Sequence, residues 1–534
     1  MVRNPFLRHV LCIAPVSAAA LLAGASIQAK AGPADAWWSI VAHLADDSLE
    51  GRMTGSAGYA AAAALVESEF RNIGLEPAGT EGFYQPVDFF EQTFDMARSS
   101  ASLVGPGEAI ALSIPQDIYF RGAHAMPGAI DAPMVFAGYG LSIPEAGHDD
   151  FAGIDVRGKI VLVIAGGPAD ISGSVKANAR SERARMLARR GALGLITLTS
   201  PRQMEIPWER QILFAGRPSM YLADEELREV NRDFVAATFA PERAHLLFEG
   251  AAHSFAEVAA LADVSGAVPV MDLPLRFSAR IVASTRPVRS ANLIARLPGS
   301  DAKLAGEHIV LSAHLDGLGI LEPVDGDAIY NGAFDNAVGV ANVISIAREL
   351  TKEGERPRRS ILFFVPTAEE MGLLGSRYFV QRPTVPIGSI VANINFDMPL
   401  PIFPLRSVTP IGFEESTLGD EAAAVSAELN LPIVPDPFPD RNVFIRSDQY
   451  SFVRAGIPAL FPKYGFAAGT PEAALERAWR AQIYHSPRDD ANQPVLREEA
   501  VKLNAWTLQL LRRVANAPAR PKWRATSYFA RYAP

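Results

Sequence analysis

From about Ser290 onward, short and nearly unbroken apolar runs alternate with stretches of helical periodicity. The runs are "EHIVLSAH", "RSILFFVP", "SIVANINFD" and "AGIPALFP". A strand that is apolar at every position has no face to give to water, so both its faces must be covered. Between the runs, Val340, Val343, Ile344 and Ala347 recur at the spacing of one helix face. This alternation predicts an α/β fold, a three-layer α/β/α sandwich around a mixed, mostly parallel sheet.

The remainder of the 534 residues divides by texture. In "GYAAAAALVESEFRNIGLEP", Ala61, Leu65, Phe70 and Ile73 follow a near-helical spacing that stops at Gly74. Residues 33–119 are read as the first part of the main domain. Within 120–265, "APMVFAGYGL", "GKIVLVIAGG" and "GALGLITLTS" are glycine-bounded apolar runs, and "SERARMLARRGA" has an amphipathic helical pattern. That span is read as a smaller inserted α/β domain. Residues 285–517 form the main domain, and the Pro/Arg-rich 518–534 a peripheral extension.

The first 31 residues carry Arg3 and Arg8, then an apolar stretch, then Ala29-Lys30-Ala31, the pattern of a cleaved secretory signal peptide. No later run has the look of a membrane helix, so the expectation is an exported protein, periplasmic or secreted, with no stable membrane anchor after cleavage. The only cysteine, Cys12, lies in that leader. The mature chain then has no disulfide and no thiolate, and any metal must be held by His, Asp and Glu. A formal net charge of −9 argues against a nucleic-acid partner.

Polar groups follow the strand runs. His314 and Asp316 come after "HIVLSA", Glu369 and Glu370 after "ILFFVPTA", and Asp397 after "IVANINF". Asp335 opens the helical stretch after "GDAIYNGAF", and "IYHSPRDD" supplies His485. Each has an ordinary reading alone: a core histidine, an N-cap, a turn acid, a loop histidine. Together they converge where sites form in open α/β sheets, outside the carboxyl ends of the strands. Imidazole nitrogen and carboxylate oxygen both suit zinc at about 2.0–2.2 Å. One carboxylate can bridge two ions about 3.5–4 Å apart, so two histidines and three carboxylates suffice for two ions. A sixth acid then stays free as a base, which gives a reason for adjacent Glu369 and Glu370. Asp316 is close enough in sequence to orient His314. There is no H-E-x-x-H, no G-x-S-x-G and no P-loop.

"SAHLDGLG", "NGAFDNAVGVA", "PTAEEMGLLGS", "NINFDM" and "YHSPRDD" resemble, in order and wording, the co-catalytic di-zinc aminopeptidase family. That family also includes glutamate carboxypeptidase-like and glutaminyl cyclase-like proteins. The resemblance covers roughly 33–115 and 285–517, and 120–265 resembles an inserted protease-associated domain. It implies two Zn ions per chain, with Asp335 bridging, His314 and Asp397 completing one site, and Glu370 and His485 the other. It implies Glu369 as general base, acting on a metal-bridging water, and Asp316 orienting His314. Ser447 matches a segment near the substrate, and Tyr484 is a candidate for the pocket lining. The implied activity is a zinc-dependent aminopeptidase acting on N-terminal residues of peptide substrates. Carboxypeptidase chemistry, with Arg441 or Arg446 holding a substrate carboxylate, glutaminyl cyclase chemistry and a non-catalytic receptor-like role stay open.

Overall fold

The structure is a computed structural model that describes residues 32–204, 206–352 and 356–533; the leader expected at 1–31 lies outside them. The larger sheet is mixed. Its middle strands, Ser360–Val365, His308–Ser312, Ile390–Asn395 and Ala459–Tyr464, run parallel. Antiparallel strands flank them: Ala283–Leu297, Tyr84–Phe94 and Ser219–Leu222 on one side, Val408–Ile411 on the other.

The apolar runs read as doubly covered strands, and their alternation shows how. Ile309 and Leu311 join one hydrophobic cluster with Ile361, Phe363 and Ile394. Helices Pro33–Leu44, Ala57–Ile73, Val338–Lys352, Leu418–Glu428 and Arg497–Asn516 cover that face. Val310, Leu362 and Phe364 point the other way, against Phe379 and Phe452 of helices Leu374–Gln381 and Gln449–Arg454. The result is the expected three-layer arrangement.

A second sheet has Ala129–Ala137, Ile160–Ile164, Gly194–Leu198 and Val235–Phe239 as parallel neighbours. It is wider in sequence than the 120–265 span. Ser100–Val104, Ile110–Leu112 and Val270–Arg280 also pair into it. Conversely, Ser219–Leu222 leaves this region to pair with Tyr84–Phe94 at the edge of the first sheet. The glycine and proline punctuation that marked the span does not reveal which sheet a flanking strand joins, because pairing is a long-range choice.

The C-terminal segment packs back onto the body. Phe529 is fully buried, and Trp523 Nε1 donates to the Gly456 carbonyl at 2.8 Å. Asn178, on helix Gly173–Arg189 of the second region, bonds to the hydroxyls of Tyr528, Tyr532 and Tyr450. Among the described residues no helix is long and apolar enough to cross a membrane.

Candidate functional site

Three parallel strands deliver acids and imidazole to one sheet edge. His314 lies just past His308–Ser312, Glu369 and Glu370 past Ser360–Val365, and Asp397 past Ile390–Asn395. Asp335 comes from the turn Ala333–Ala337 that feeds helix Val338–Lys352. That turn needs Gly332, at φ +61°, where a Cβ would fall 2.2 Å from the Asp335 carbonyl oxygen. His485 follows helix Pro471–Gln482. Left-handed backbone at Ala368, Met398 and His485 clusters here too, as strained residues do at sites that the surrounding fold over-determines.

These side chains form two groups that share Asp335. His314 Nε2 lies 3.4 Å from Asp335 Oδ1 and 3.8 Å from Asp397 Oδ1. His485 Nε2 lies 3.2 Å from Asp335 Oδ2 and 3.5 Å from Glu370 Oε1. Each group of three, His314–Asp335–Asp397 and Asp335–Glu370–His485, gathers its donor atoms closely enough to hold one metal ion. Among the described residues, His314 Nε2 and Asp397 Oδ1 are buried without a hydrogen-bond partner. Buried polar atoms normally have one, so this donor set fits a cation that would satisfy them.

The electrostatics agree. Burial opposes a charge on His314, but Glu369 and the oxygens of Asp335 and Asp397 hold its pKa well above the ordinary value. His485 is likewise raised to about 9, against burial, by Glu370 and Asp335. Burial pushes Asp335 up, yet the two imidazoles outweigh it and hold the carboxyl well below the usual range. Carboxylates crowded this closely demand positive charge, and protons on the histidines supply what a divalent ion would supply instead. Glu369 stands apart: burial, with the charges of Asp397 and Glu370, pushes it well above the usual range despite His314.

Asp316 is fully buried and pushed up to about 6 by burial. Its carboxylate accepts the Glu369 N–H at 3.0 Å and the Glu370 N–H at 3.2 Å. His314 Nδ1 is 3.1 Å from the Asp316 backbone carbonyl and 3.8 Å from its carboxylate. Contact with His314 is therefore closer through the main chain than through the side chain. Ser447 Oγ accepts from Asn395 at 3.0 Å, and Tyr484 stacks on His485 with ring centroids 3.7 Å apart. Ser447, Tyr484, Asp335, Glu369, Glu370, Asp397 and His485 all line a cavity of about 460 Å³. Arg446 lines it as well, whereas Arg441 bonds to Glu476 at 2.8 Å.

Sequence reasoning missed several residues around this cluster. Buried Asp489 accepts the Phe334 and Asp335 N–H groups at 2.9 and 3.0 Å, and so clamps the Asp335 turn. Its place in "YHSPRDD", four residues after His485, was the available signal. Arg52, almost fully buried, donates to the carbonyls of Leu315, Asn331 and Gly332, and so ties together the loops carrying His314 and Asp335. Arg217 Nη1 lies 3.7 Å from Glu370 Oε2. Lys463, near the carboxyl end of the fourth parallel strand, faces the cavity, and burial pushes it down to about 8. No local pattern marks Arg52, Arg217 or Lys463.

Residues 292–510 match Peptidase family M28. Leupeptin-inactivating enzyme 1 of Streptomyces exfoliatus is 29% identical over 238 residues, 41% of this chain and 48% of that protein. A vacuolar membrane protease of Candida dubliniensis (strain CD36) is 34% identical over 94 residues, 18% of this chain and 9% of its own length. The match thus spans about half of the first relative and about a tenth of the second. An aminopeptidase from Aneurinibacillus sp. strain AM-1 superposes with a TM-score of 0.54 at 18% identity, covering 91% of this chain and 95% of that one. At that identity the likeness is one of fold.

Proposed function

Taking residues 292–510 as a Peptidase family M28 domain, we propose that this chain is a zinc-dependent exopeptidase, an aminopeptidase that removes N-terminal residues from peptides. The observation that carries the reading is the pair of three-residue groups sharing Asp335, with Glu369 beside them. His314, Asp335 and Asp397 would hold one zinc ion; Asp335, Glu370 and His485 would hold a second. Imidazole and carboxylate donors without thiolate suit such a centre. When bound, the zinc pair polarises the scissile carbonyl and activates water for attack.

The chain's own residues do the rest. Glu369, which belongs to neither metal-binding group, accepts the proton of the attacking water as a carboxylate and returns it to the leaving amine. Asp316 fixes the backbone of both glutamates and, through its carbonyl, the His314 ring. The Ser447 hydroxyl lies at the cavity wall, where it can donate to the developing oxyanion. Tyr484 walls the pocket and packs His485 in place. The leader pattern at 1–31 supports an exported enzyme, periplasmic or secreted.

One observation favours a second reading, a carboxypeptidase. Among the described residues the Lys463 ammonium has no ion pair, lies 4.6 Å from the Phe461 ring centroid and faces the cavity near Asp397, where it would suit a substrate carboxylate. The decisive experiment uses paired peptides with free and acetylated N-termini, with and without chelator, and identifies products by mass. Loss of single N-terminal residues from free-amine peptides only, abolished by chelator and restored by zinc, is the expected result. Release of C-terminal residues regardless of acetylation would replace the first reading with the second.

A further inference from the structure

The chain is acidic overall, with a formal net charge of −9, yet a cavity beside the site is walled by cations. This cavity, about 1030 Å³, opens on Glu370 and His485, and its walls come from both the second-sheet region and the peptidase region. Arg121, Lys176, Arg180, Arg217 and Arg446 line it. Lys176 and Arg180 bond to the carbonyls of Pro168 and Gly166. The other three are less satisfied. Arg217 is 3% exposed, and its Nε and Nη2 have no hydrogen-bond partner among the described residues. Arg121 and Arg446 make no side-chain hydrogen bond or ion pair among the described residues.

The fold puts this charge there by a particular route. Arg121 follows the edge strand Ile118–Phe120 of the second sheet. Arg217 precedes Ser219–Leu222, the strand that crosses back to the first sheet, and that return carries its guanidinium to within 3.7 Å of Glu370. A guanidinium offers five donors and keeps its charge, so burying one with donors unused is unfavourable unless something else meets them. A carboxylate matches its fork with two parallel bonds.

We infer that this cleft selects peptides carrying a carboxylate on the leaving side of the scissile bond, anchored by Arg217, Arg121 and Arg446. The inference rests on the peptidase reading above. The carboxylate has two sources, the C-terminal group of a short peptide or an Asp or Glu side chain, and the same chemistry recognises both.

The test measures kcat/KM of the zinc-loaded full chain on four tripeptides with one common Leu–Ala bond: Leu-Ala-Ala amide, Leu-Ala-Ala free acid, Leu-Ala-Glu amide and Leu-Ala-Lys amide. Charge-assisted bonds of this kind predict a preference of roughly tenfold or more for a carboxylate-bearing peptide over the neutral amide. The lysine peptide should be poorest, and the preference should shrink as salt rises. The two acidic arms tell which source is held. In Arg121→Gln and Arg446→Gln the ratio of acidic to neutral peptide should fall toward one. Arg446 is exposed, so its replacement reports even if Arg217→Gln fails to fold. Equal rates on all four peptides would overturn the inference and leave the peptidase reading standing. No cleavage of any would remove both.

Discussion

His314, Glu369, Glu370 and Asp397 sit a few residues past three neighbouring strands of one sheet, whereas Arg121 reaches the same place from the second sheet and Arg217 from just before the strand that returns to the edge of the first. The acidic floor is set by local sequence. Once a strand's length and direction are fixed, the residues at its carboxyl end have one position available. The basic wall is set by a distant pairing, Ser219–Leu222 against Tyr84–Phe94. The floor gathers carboxylates that repel one another, and imidazoles answer them. The wall gathers guanidiniums, and Glu370 is the carboxylate of the site that faces Arg217. The chemistry on the floor can therefore stay fixed while the wall sets what is admitted.

The sharpest way to break this division is to change the floor without changing its charge-binding groups. Glu369→Gln should lower kcat by about a hundredfold to ten-thousandfold, the range for removing a general base. Bound zinc, read by metal analysis, should stay the same because Glu369 is in neither metal-binding group. Full activity in that variant would sink the base assignment. Loss of zinc instead would move Glu369 into the ligand set.

The same contrast explains what could be read from the sequence. The doubly covered strands were legible because "HIVLS", "SILFFV" and "IVANIN" are nearly unbroken apolar runs with polar residues mostly at their ends. The convergence of His314, Asp335, Glu369, Glu370 and Asp397 was legible because each sits in a short wording next to such a run or a helix start, and His485 was legible through the wording "YHSPRDD" alone. Arg52 and Arg217 were not, since a single arginine in a glycine-containing loop looks like any solvated cation until its neighbours are known. The width of the second sheet was hidden for a related reason. Ser100–Val104 and Val270–Arg280 alternate as half-covered strands do, and either sheet would accept them.

Acid should strike the two regions alike. Burial, with Arg296 nearby, pushes His308 of the first sheet down to about 4, and burial pushes His124 of the second region down to about 4. An unfolded imidazole titrates near 6.5 (roughly), so between that pH and about 4 the unfolded chain binds more protons than the folded one. This stability is complete above the unfolded value and is lost as pH falls through the folded one, by roughly 3 kcal/mol per histidine at most. Calorimetry between neutral pH and pH ~5 checks it. His308→Gln and His124→Gln should each flatten the fall, in a shared transition if the regions unfold together and in separate ones if they do not. A melting temperature indifferent to pH would mean that neither imidazole is buried neutral.

The clamp beneath the floor should matter less than the floor itself. Asp489→Ala frees the Phe334 and Asp335 amides. Outer partners of metal ligands are worth about tenfold to a hundredfold in metal affinity. Zinc titration against a competing chelator should show a weakening of that order, with kcat largely recovered at saturating zinc. Unchanged affinity would make Asp489 a packing residue only.

The smallest effect tests whether floor and wall are held together at all. Asn178 of the second region gathers the hydroxyls of Tyr450, of the first-sheet region, and of Tyr528 and Tyr532, of the C-terminal segment. Asn178→Ala removes these bonds, but the phenols of Tyr528 and Tyr532 are part-exposed and can turn to water, so the net loss is about 1 kcal/mol. That is too little to move a melting temperature far in a chain of this size. It should show locally, as about fivefold faster hydrogen exchange in the amides of 528–532 and in helix Gly173–Arg189. If the link matters to the wall, the same variant should also blur the preference between acidic and neutral peptides, because Arg180 lies on that helix and lines the cleft. Faster exchange with an intact preference would mean that the returning strand at Ser219–Leu222 suffices to hold the wall in register with the floor.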